Sequence, residues 1–185
     1  ELAKKAGSEV LLILNASPFE KYKREQRIEC VEKNVCAQGM DAVYVNACGA
    51  QDEIIFDGFS FTRTKDGKGR EVSGFEAASM LAEAEHGELL EASSFEISQG
   101  IADLYSGLVL SFKSYIENNS FKGVVLGLSG GIDSALVLKI AVDAVGADKV
   151  EAVMMPSQFT SDMSKTDAAE LASRLGVKYS VISVE

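Results

Sequence analysis

Residues 127–134, Gly-Leu-Ser-Gly-Gly-Ile-Asp-Ser, place two hydroxyls, a carboxylate and three glycines within one short turn. A mostly apolar run precedes the turn and an alanine- and valine-rich segment with helical spacing follows it, so the turn joins a buried strand to a helix. Glycines let backbone N–H groups approach a ligand closely. The first N–H groups of a helix carry a partial positive charge of about half a unit. The pattern predicts a phosphate-binding loop.

Asp133 is the residue of this turn that a bare phosphate would repel. Its presence is explained if it holds Mg²⁺, which takes carboxylate and phosphate oxygens together. The hydroxyls of Ser129 and Ser134 can donate to phosphate oxygens. We therefore interpret the turn as a site for a magnesium–nucleotide complex. It lacks the lysine of a Walker motif, since no Gly-Lys-Ser/Thr follows it.

Two other interpretations of the same turn stay open. In the first, Asp133 or Ser134 only caps the helix, which is worth about 1 kcal/mol, and the glycines only make a tight bend. In the second, residues 127–131 are a Gly-x-Ser-x-Gly nucleophile elbow with Ser129 as the nucleophile. That elbow needs a histidine downstream, and the only histidine in the sequence, His86, lies upstream.

The elements around this turn follow a β-α-β-α-β pattern. Strands are predicted at residues 123–128, 150–155 and 178–184, and helices begin near Asp133 and Ser164. Crossover helices between strands indicate a parallel, doubly wound sheet, whose ligands bind beyond the carboxyl ends of its strands. An amphipathic helix precedes this pattern and ends at Asn118-Asn119; its apolar stripe consists of Ile101, Leu104, Leu108, Phe112 and Tyr115.

The first half of the sequence has a different order of elements. We predict a strand over residues 9–18, a helix over 20–39, a strand over 41–49 and a hairpin over 53–72 with Asp66-Gly67 at its turn. Residues 73–93 are acidic and alanine-rich, and we interpret them as a surface helix or a connector. These patterns place a domain boundary near residue 95, giving domains 1–95 and 96–185. Because the pattern begins midway and stops on a strand, we expect the middle part of a longer polypeptide.

Composition excludes several classes of protein. The 185 residues include 18 Lys and Arg against 28 Asp and Glu, a net charge of −10, which argues against general nucleic-acid binding. No apolar run reaches the roughly 20 residues that span a bilayer, and no signal peptide is recognisable. The three cysteines form no Cys-x-x-Cys pair, which fits a reducing compartment. We expect a cytoplasmic protein that binds neither membranes nor nucleic acid.

The sequence Ser-Gly-Gly-Ile-Asp-Ser at 129–134 resembles the signature of the ATP pyrophosphatases, or PP-loop enzymes, which cleave ATP to AMP and pyrophosphate while adenylating a substrate. Residues 103–119 and 120–161 closely resemble the glutamine-dependent NAD(+) synthetase family in particular. By this resemblance Asp133 holds Mg²⁺ and Met155 lies beside the adenine. Many relatives have arginine where this chain has Gln158, so Gln158 receives no charge-dependent role. The residues implied to bind ATP are Gly127, Leu128, Ser129, Gly130, Gly131, Ile132, Asp133, Ser134 and Met155.

Residues 11–27 and 43–61 resemble the nitrilase, or carbon–nitrogen hydrolase, superfamily. The implied fold is the C-terminal part of a nitrilase-like α-β-β-α domain followed by the start of a Rossmann-like α/β domain. Ser17 and Lys23 match positions that hold the glutamine substrate. From the residues alone, Ser17 could instead serve a Ser-Pro turn and Lys23 could be a solvated helix charge. The Glu-Lys-Cys triad of the superfamily would lie upstream of residue 1. The nucleophile position matches none of the three cysteines, Cys30, Cys36 and Cys48.

The resemblance implies a ligase that uses ATP and glutamine to amidate deamido-NAD to NAD through an adenylated intermediate. Ammonia released from glutamine would displace AMP, and pyrophosphate would be the other product. The family also implies a homo-oligomer. Two alternatives remain: another adenylating amidotransferase of the PP-loop class with a different acceptor, or a carbon–nitrogen hydrolase with a nucleotide-sensing domain.

Overall fold

A computed structural model of the protein describes residues 1–91 and 100–184. The chain divides into two compact units, Glu1–Gly107 and Leu108–Glu185. The domain boundary predicted near residue 95 lies outside the described residues. No helix within residues 1–91 and 100–184 is both long and apolar enough to cross a membrane.

The first unit is built on a three-stranded mixed sheet. The strand order is β1-β2-β5, with β1 parallel to β2 and β5 antiparallel to β2. Two small antiparallel pairs, β3-β4 and β6-β7, lie outside this sheet. The elements are α1 Leu2–Lys5, β1 Val10–Asn15, α2 Lys23–Asn34, a 3₁₀ turn Cys36–Gln38, β2 Asp41–Asn46, β3 Cys48–Gln51, β4 Ile54–Asp57, β5 Phe61–Arg63, β6 Ala84–Glu85 and β7 Glu88–Leu89.

Helix α2 buries its apolar face against this sheet. Ile28, Val31 and Val35 recur at helical spacing, as the sequence predicts, and all three are buried. They form one core with Cys36, Met40, Ala42, Tyr44 and Phe61. Gly39 adopts a positive φ of 72° just after the 3₁₀ turn, which explains why the helical segment stops there.

Three predictions for the first unit need correction. The single strand predicted over 41–49 is two strands, because Ala47 separates β2 from β3, which pairs with β4 in another sheet. The predicted hairpin forms with its turn at Asp66-Gly67, but over residues 60–72 only: the Thr62 and Thr64 N–H groups donate to the carbonyl oxygens of residues 70 and 68, whereas β4 pairs with β3. Residues 73–91 contain no helix, so only the connector interpretation survives for this part.

The second unit contains a three-stranded parallel sheet of order β10-β9-β8. This confirms the predicted β-α-β-α-β pattern and the α/β class. Its core places small alanines, among them Ala141, Ala168 and Ala172, between helices and sheet, which lets the helices approach the strands closely. The elements are α3 Ile101–Asn118, in which the division between the units falls, β8 Val124–Gly127, α4 Ile132–Val145, a 3₁₀ turn Ala147–Lys149, β9 Val150–Met154, α5 Asp162–Leu175 and β10 Lys178–Val181.

The apolar stripe predicted on α3 is mostly exposed. Phe112 packs against the core of the second unit, and Ile116, which was not part of the predicted stripe, is buried. The other four members of the stripe, Ile101, Leu104, Leu108 and Tyr115, are exposed. The spacing therefore predicts the helix correctly, but within the described residues the predicted stripe is not the buried face of α3.

Candidate functional site

The glycine turn lies beyond the carboxyl ends of β8 and β9, as predicted. β8 ends at Gly127, which is paired with Val153 of β9. Leu128 anchors the start of the turn, since its side chain is buried and its N–H donates to the Val153 carbonyl oxygen at 2.9 Å. That N–H is therefore already used in the sheet. Helix α4 starts at Ile132, so residues 128–131 stand where open parallel sheets bind their ligands.

Two hydroxyls hold the turn in shape. Ser134 Oγ accepts from the Ser129 N–H at 3.2 Å, lies 3.0 Å from Ser129 Oγ and donates to the Gly131 carbonyl oxygen at 3.0 Å. The Gly131 N–H donates to Ser129 Oγ at 3.3 Å. The predicted phosphate-binding hydroxyls are thus brought together and also define the loop.

Gly130 packs the turn against the first turn of α5. Its φ is +82°, and an added Cβ would lie 2.3 Å from the Ser164 carbonyl oxygen. Ser161 caps α5 by accepting from the Ser164 N–H at 3.1 Å. The N-terminal ends of α4 and α5 therefore lie near the same loop, and both helix dipoles favour an anion there.

Asp133 lies in the first turn of α4 and is exposed. The N-cap of α4 is Gly131 and no side chain caps it, so the interpretation of Asp133 or Ser134 as the cap is wrong. Instead the Ser134 hydroxyl turns back to Gly131. Residues 1–91 and 100–184 contain no cluster of three or more potential metal-ligating side chains. A cation at Asp133 would accordingly take its other ligands from a nucleotide and water, as Mg²⁺ commonly does.

Met155 lies beside the turn. It follows β9, is half exposed, and its Cε is 3.2 Å from the point where a Cβ on Gly127 would stand. A cavity of about 310 Å³ here is lined by Gly127, Leu128, Ser129, Val153, Met154, Met155 and Thr160. The geometry brings Met155 and the loop together at one cavity. Gln158 lines a separate cavity of about 560 Å³.

Ser129 has no general base among the described residues. Its hydroxyl is hydrogen-bonded to Ser134 and Gly131. A nucleophilic serine needs a base within hydrogen-bond reach, so the described part of the chain gives no support to the nucleophile elbow.

A second candidate site lies in the first unit, where Ser17 and Lys23 line the same cavity of about 390 Å³. Ser17 follows β1, and Lys23 is the first residue of α2. The Lys23 ammonium lies 3.4 Å from a Glu20 carboxylate oxygen. Cys30 and Tyr44 also line the cavity. Its volume is sufficient for a small amino acid.

A buried polar network behind this cavity was not predicted. Arg27 is paired with Asp57, with Nη1 to Oδ1 at 2.7 Å, and Asn46 donates to the same oxygen at 3.1 Å. Burial raises the pKa of Asp57, and the charge of Arg27 opposes this effect. The sequence contains a signal for this network. Arg27 precedes Ile28 on the apolar side of α2, and a charged side chain at a buried position requires a partner of opposite charge.

Two of the three cysteines, Cys36 and Cys48, lack the environment of a nucleophile. Burial raises the pKa of Cys36 to about 11 and also raises that of Cys48, so both are protonated thiols at neutral pH and react slowly. Cys30 is exposed at the cavity of Ser17 and Lys23.

Residues 104–185 match the model of the NAD synthase family. The glutamine-dependent NAD(+) synthetases of Acinetobacter baylyi and Rhodobacter capsulatus are 42% and 40% identical to the chain, over 97% of its length and 34% of theirs. The chain thus spans about a third of the length of these curated relatives. A solved structure of the glutamine-dependent NAD(+) synthetase from Acinetobacter baumannii, in complex with ADP, is 38% identical and superposes with a TM-score of 0.93 over the whole chain and 36% of that protein.

Proposed function

Because nearly the whole chain is related to the glutamine-dependent NAD(+) synthetases, we propose that it forms part of a ligase that converts deamido-NAD to NAD with ATP and glutamine. The observation that carries this proposal is the loop 129–134. It stands beyond the carboxyl ends of β8 and β9, at the start of α4, with the Asp133 carboxylate exposed beside it.

The proposed chemistry at the loop is adenylation. The nicotinate carboxylate of deamido-NAD attacks the α-phosphorus of ATP, and pyrophosphate leaves toward the loop. The N–H groups at the start of α4 and the hydroxyls of Ser129 and Ser134 stabilise the charge that develops on the leaving group, an effect worth several kcal/mol. Asp133 would hold Mg²⁺, which neutralises phosphate charge when bound. Met155 would contact the adenine in the cavity it shares with the loop.

The proposed role of the first unit is to bind glutamine for hydrolysis to ammonia. Ser17 and Lys23 would hold the glutamine in the cavity they share. The Glu-Lys-Cys triad would come from residues outside this sequence. Ammonia is largely protonated near pH 7, so releasing it within the same protein raises the effective concentration of the nucleophile that displaces AMP.

The remaining predictions belong to the same proposal. They are a nitrilase-like α-β-β-α domain over 1–95, a doubly wound Rossmann-like domain over 96–185, a homo-oligomer and a cytoplasmic location. The match of residues 104–185 to the NAD synthase family and the parallel order of β8, β9 and β10 support the second assignment, and the first rests on the resemblance of residues 11–27 and 43–61.

The proposal is tested on the full-length protein with Mg-ATP, deamido-NAD and ammonium, without glutamine. We expect NAD and pyrophosphate in equal amounts. Pyrophosphate without NAD would indicate another acceptor, and thus a different adenylating amidotransferase. ATP binding with neither product would favour a nucleotide-sensing domain. Adding glutamine in place of ammonium then tests the first unit.

The glutamine cavity predicts protection of one cysteine. We expect glutamine to slow the alkylation of Cys30, because Cys30 lines the same cavity as Ser17 and Lys23. The measurement is site-resolved mass spectrometry after timed exposure to iodoacetamide, with and without glutamine. Cys48 does not line this cavity and is the internal control. Equal rates at Cys30 with and without glutamine would contradict the placement of glutamine there.

A further inference from the structure

We propose that Arg27 is a positioning residue for glutamine, and that it fixes the Ser17 hydroxyl as a donor to the carboxylate group of that ligand. This inference rests on the proposed function of the first unit. It assigns Arg27 a task that neither the loop chemistry nor the glutaminase triad requires.

Arg27 and Asn46 fix Ser17 through three of its polar groups. The Ser17 hydroxyl accepts from Arg27 Nε at 3.0 Å, and its carbonyl oxygen accepts from Arg27 Nη2 at 2.8 Å and from Asn46 Nδ2 at 3.2 Å. The Ser17 N–H donates to Asn46 Oδ1 at 2.8 Å. Arg27 Nη2 also reaches the Pro18 carbonyl oxygen at 2.9 Å. Ser17 therefore has little freedom to reorient.

The direction of the Arg27–Ser17 bond decides what Ser17 can bind. A guanidinium has donors only, so the Ser17 oxygen must accept and its hydroxyl proton must point elsewhere. Lys23, which lines the same cavity, also has donors only. Two donors facing one cavity select an acceptor of negative charge, and in glutamine that group is the carboxylate.

Arg27 also lines the cavity, but its three nitrogens already donate to Ser17, Asp57 and the Pro18 carbonyl oxygen, so its proposed action on the ligand runs through Ser17. The Arg27 side chain is 5% exposed and its charge is paired with Asp57, whose side chain is 1% exposed. Asp57 uses its Oδ1 atom for both Arg27 and Asn46, while Oδ2 is buried without a hydrogen-bond partner. The ion pair thus fixes the guanidinium plane, and the guanidinium then orients Ser17.

A purely structural role for Arg27 would be to join α2 to β4, and the test must separate the two roles. In the full-length protein, Arg27→Lys keeps the charge that pairs with Asp57 but loses the fork that reaches Ser17. We expect the KM for glutamine to rise about tenfold or more, while NAD synthesis from ammonium stays within about twofold of wild type. Ser17→Ala should raise the KM similarly. The double variant should be no worse than Ser17→Ala alone, since the two residues act as a unit.

Arg24→Lys is the matched control. Arg24 is equally buried on α2, is paired with Glu71 and does not line the cavity, so this change should leave the KM for glutamine unaltered. If Arg27→Lys does not fold, Asp57→Asn is the replacement variant, because it removes the charged partner of Arg27 with almost no change of volume. The KM of Asp57→Asn for glutamine should also rise. This rise should be absent when Ser17 is replaced by alanine.

An unchanged KM in Arg27→Lys, or an effect that adds fully to that of Ser17→Ala, would overturn the inference. A wild-type protein that makes NAD from ammonium but not from glutamine would instead overturn the proposed role of the first unit, and with it this inference. The two failures are distinct, since the second is seen in the wild type before any variant is made.

Discussion

Asp133→Asn is expected to lower the rate of ammonium-dependent NAD synthesis by about a hundredfold or more, the size of effect seen when one preorganised electrostatic contact to a developing charge is removed. The amide keeps the shape of the side chain but loses the charge that would bind Mg²⁺ at the start of α4. Because Asp133 is exposed, the free energy of unfolding should change by only about 0.5 kcal/mol. The measurements are initial rates across a Mg²⁺ titration and urea unfolding of the same preparation.

Asp148→Asn is the matched control for this change. Asp148 is also an exposed carboxylate, but it lies in the 3₁₀ turn before β9, at the amino end of the strands and opposite the loop. Its replacement should leave the rate unaltered. If Asp133→Asn retains full activity at saturating Mg²⁺, the assignment of Asp133 to the metal is wrong, although the loop could still bind phosphate.

Gly130→Ala is expected to abolish ATP-dependent activity and to destabilise the second unit by several kcal/mol. Two costs combine: alanine is disfavoured at a φ of +82°, by about 1–2 kcal/mol, and its Cβ would stand 2.3 Å from the Ser164 carbonyl oxygen. The clash is with backbone, so the loop or the first turn of α5 must move. Either movement displaces the N–H groups that would hold phosphate. Urea unfolding and the rate of pyrophosphate release measure the two effects.

Gly176→Ala separates the two costs. Gly176 has a φ of +69° at the end of α5 in the same unit, but nothing lies within 4 Å of an added Cβ. The Gly176→Ala variant should lose only the conformational part of the free energy of unfolding, about 1–2 kcal/mol, and should keep its activity. Equal losses of stability in Gly130→Ala and Gly176→Ala would show that the clash with Ser164 does not contribute to the destabilisation of Gly130→Ala.

The second unit was largely predictable because its signals are local. The apolar runs at 124–127 and 150–154 are separated by a helical segment with a glycine turn at its start, and parallel pairing follows from the crossover. The strand at 41–49 was predicted as one element because its residues all favour extended backbone. Its division at Ala47 depends on β4, a partner that becomes visible only in three dimensions.

The candidate sites show the same limit. The loop residues could be found from their types and spacing, since phosphate binding relies on the backbone of consecutive residues. Ser17 and Lys23 came from the family resemblance, but the contribution of Arg27, Asn46 and Asp57 depends on contacts across 10 to 30 residues. Hydrophobic spacing on α3 likewise could not say which face is covered.

The hydrogen bonds within the loop have a consequence for how tightly the serines can contribute to binding. With the Ser134 proton on the Gly131 carbonyl, the proton between the two hydroxyls belongs to Ser129, so both are already donated inside the loop. An arriving phosphate would exchange those bonds for new ones and gain only the difference between them. The two hydroxyls then add little to the affinity for bound ATP, and they contribute mainly when further charge develops on the leaving pyrophosphate, which meets donors that are already held in place.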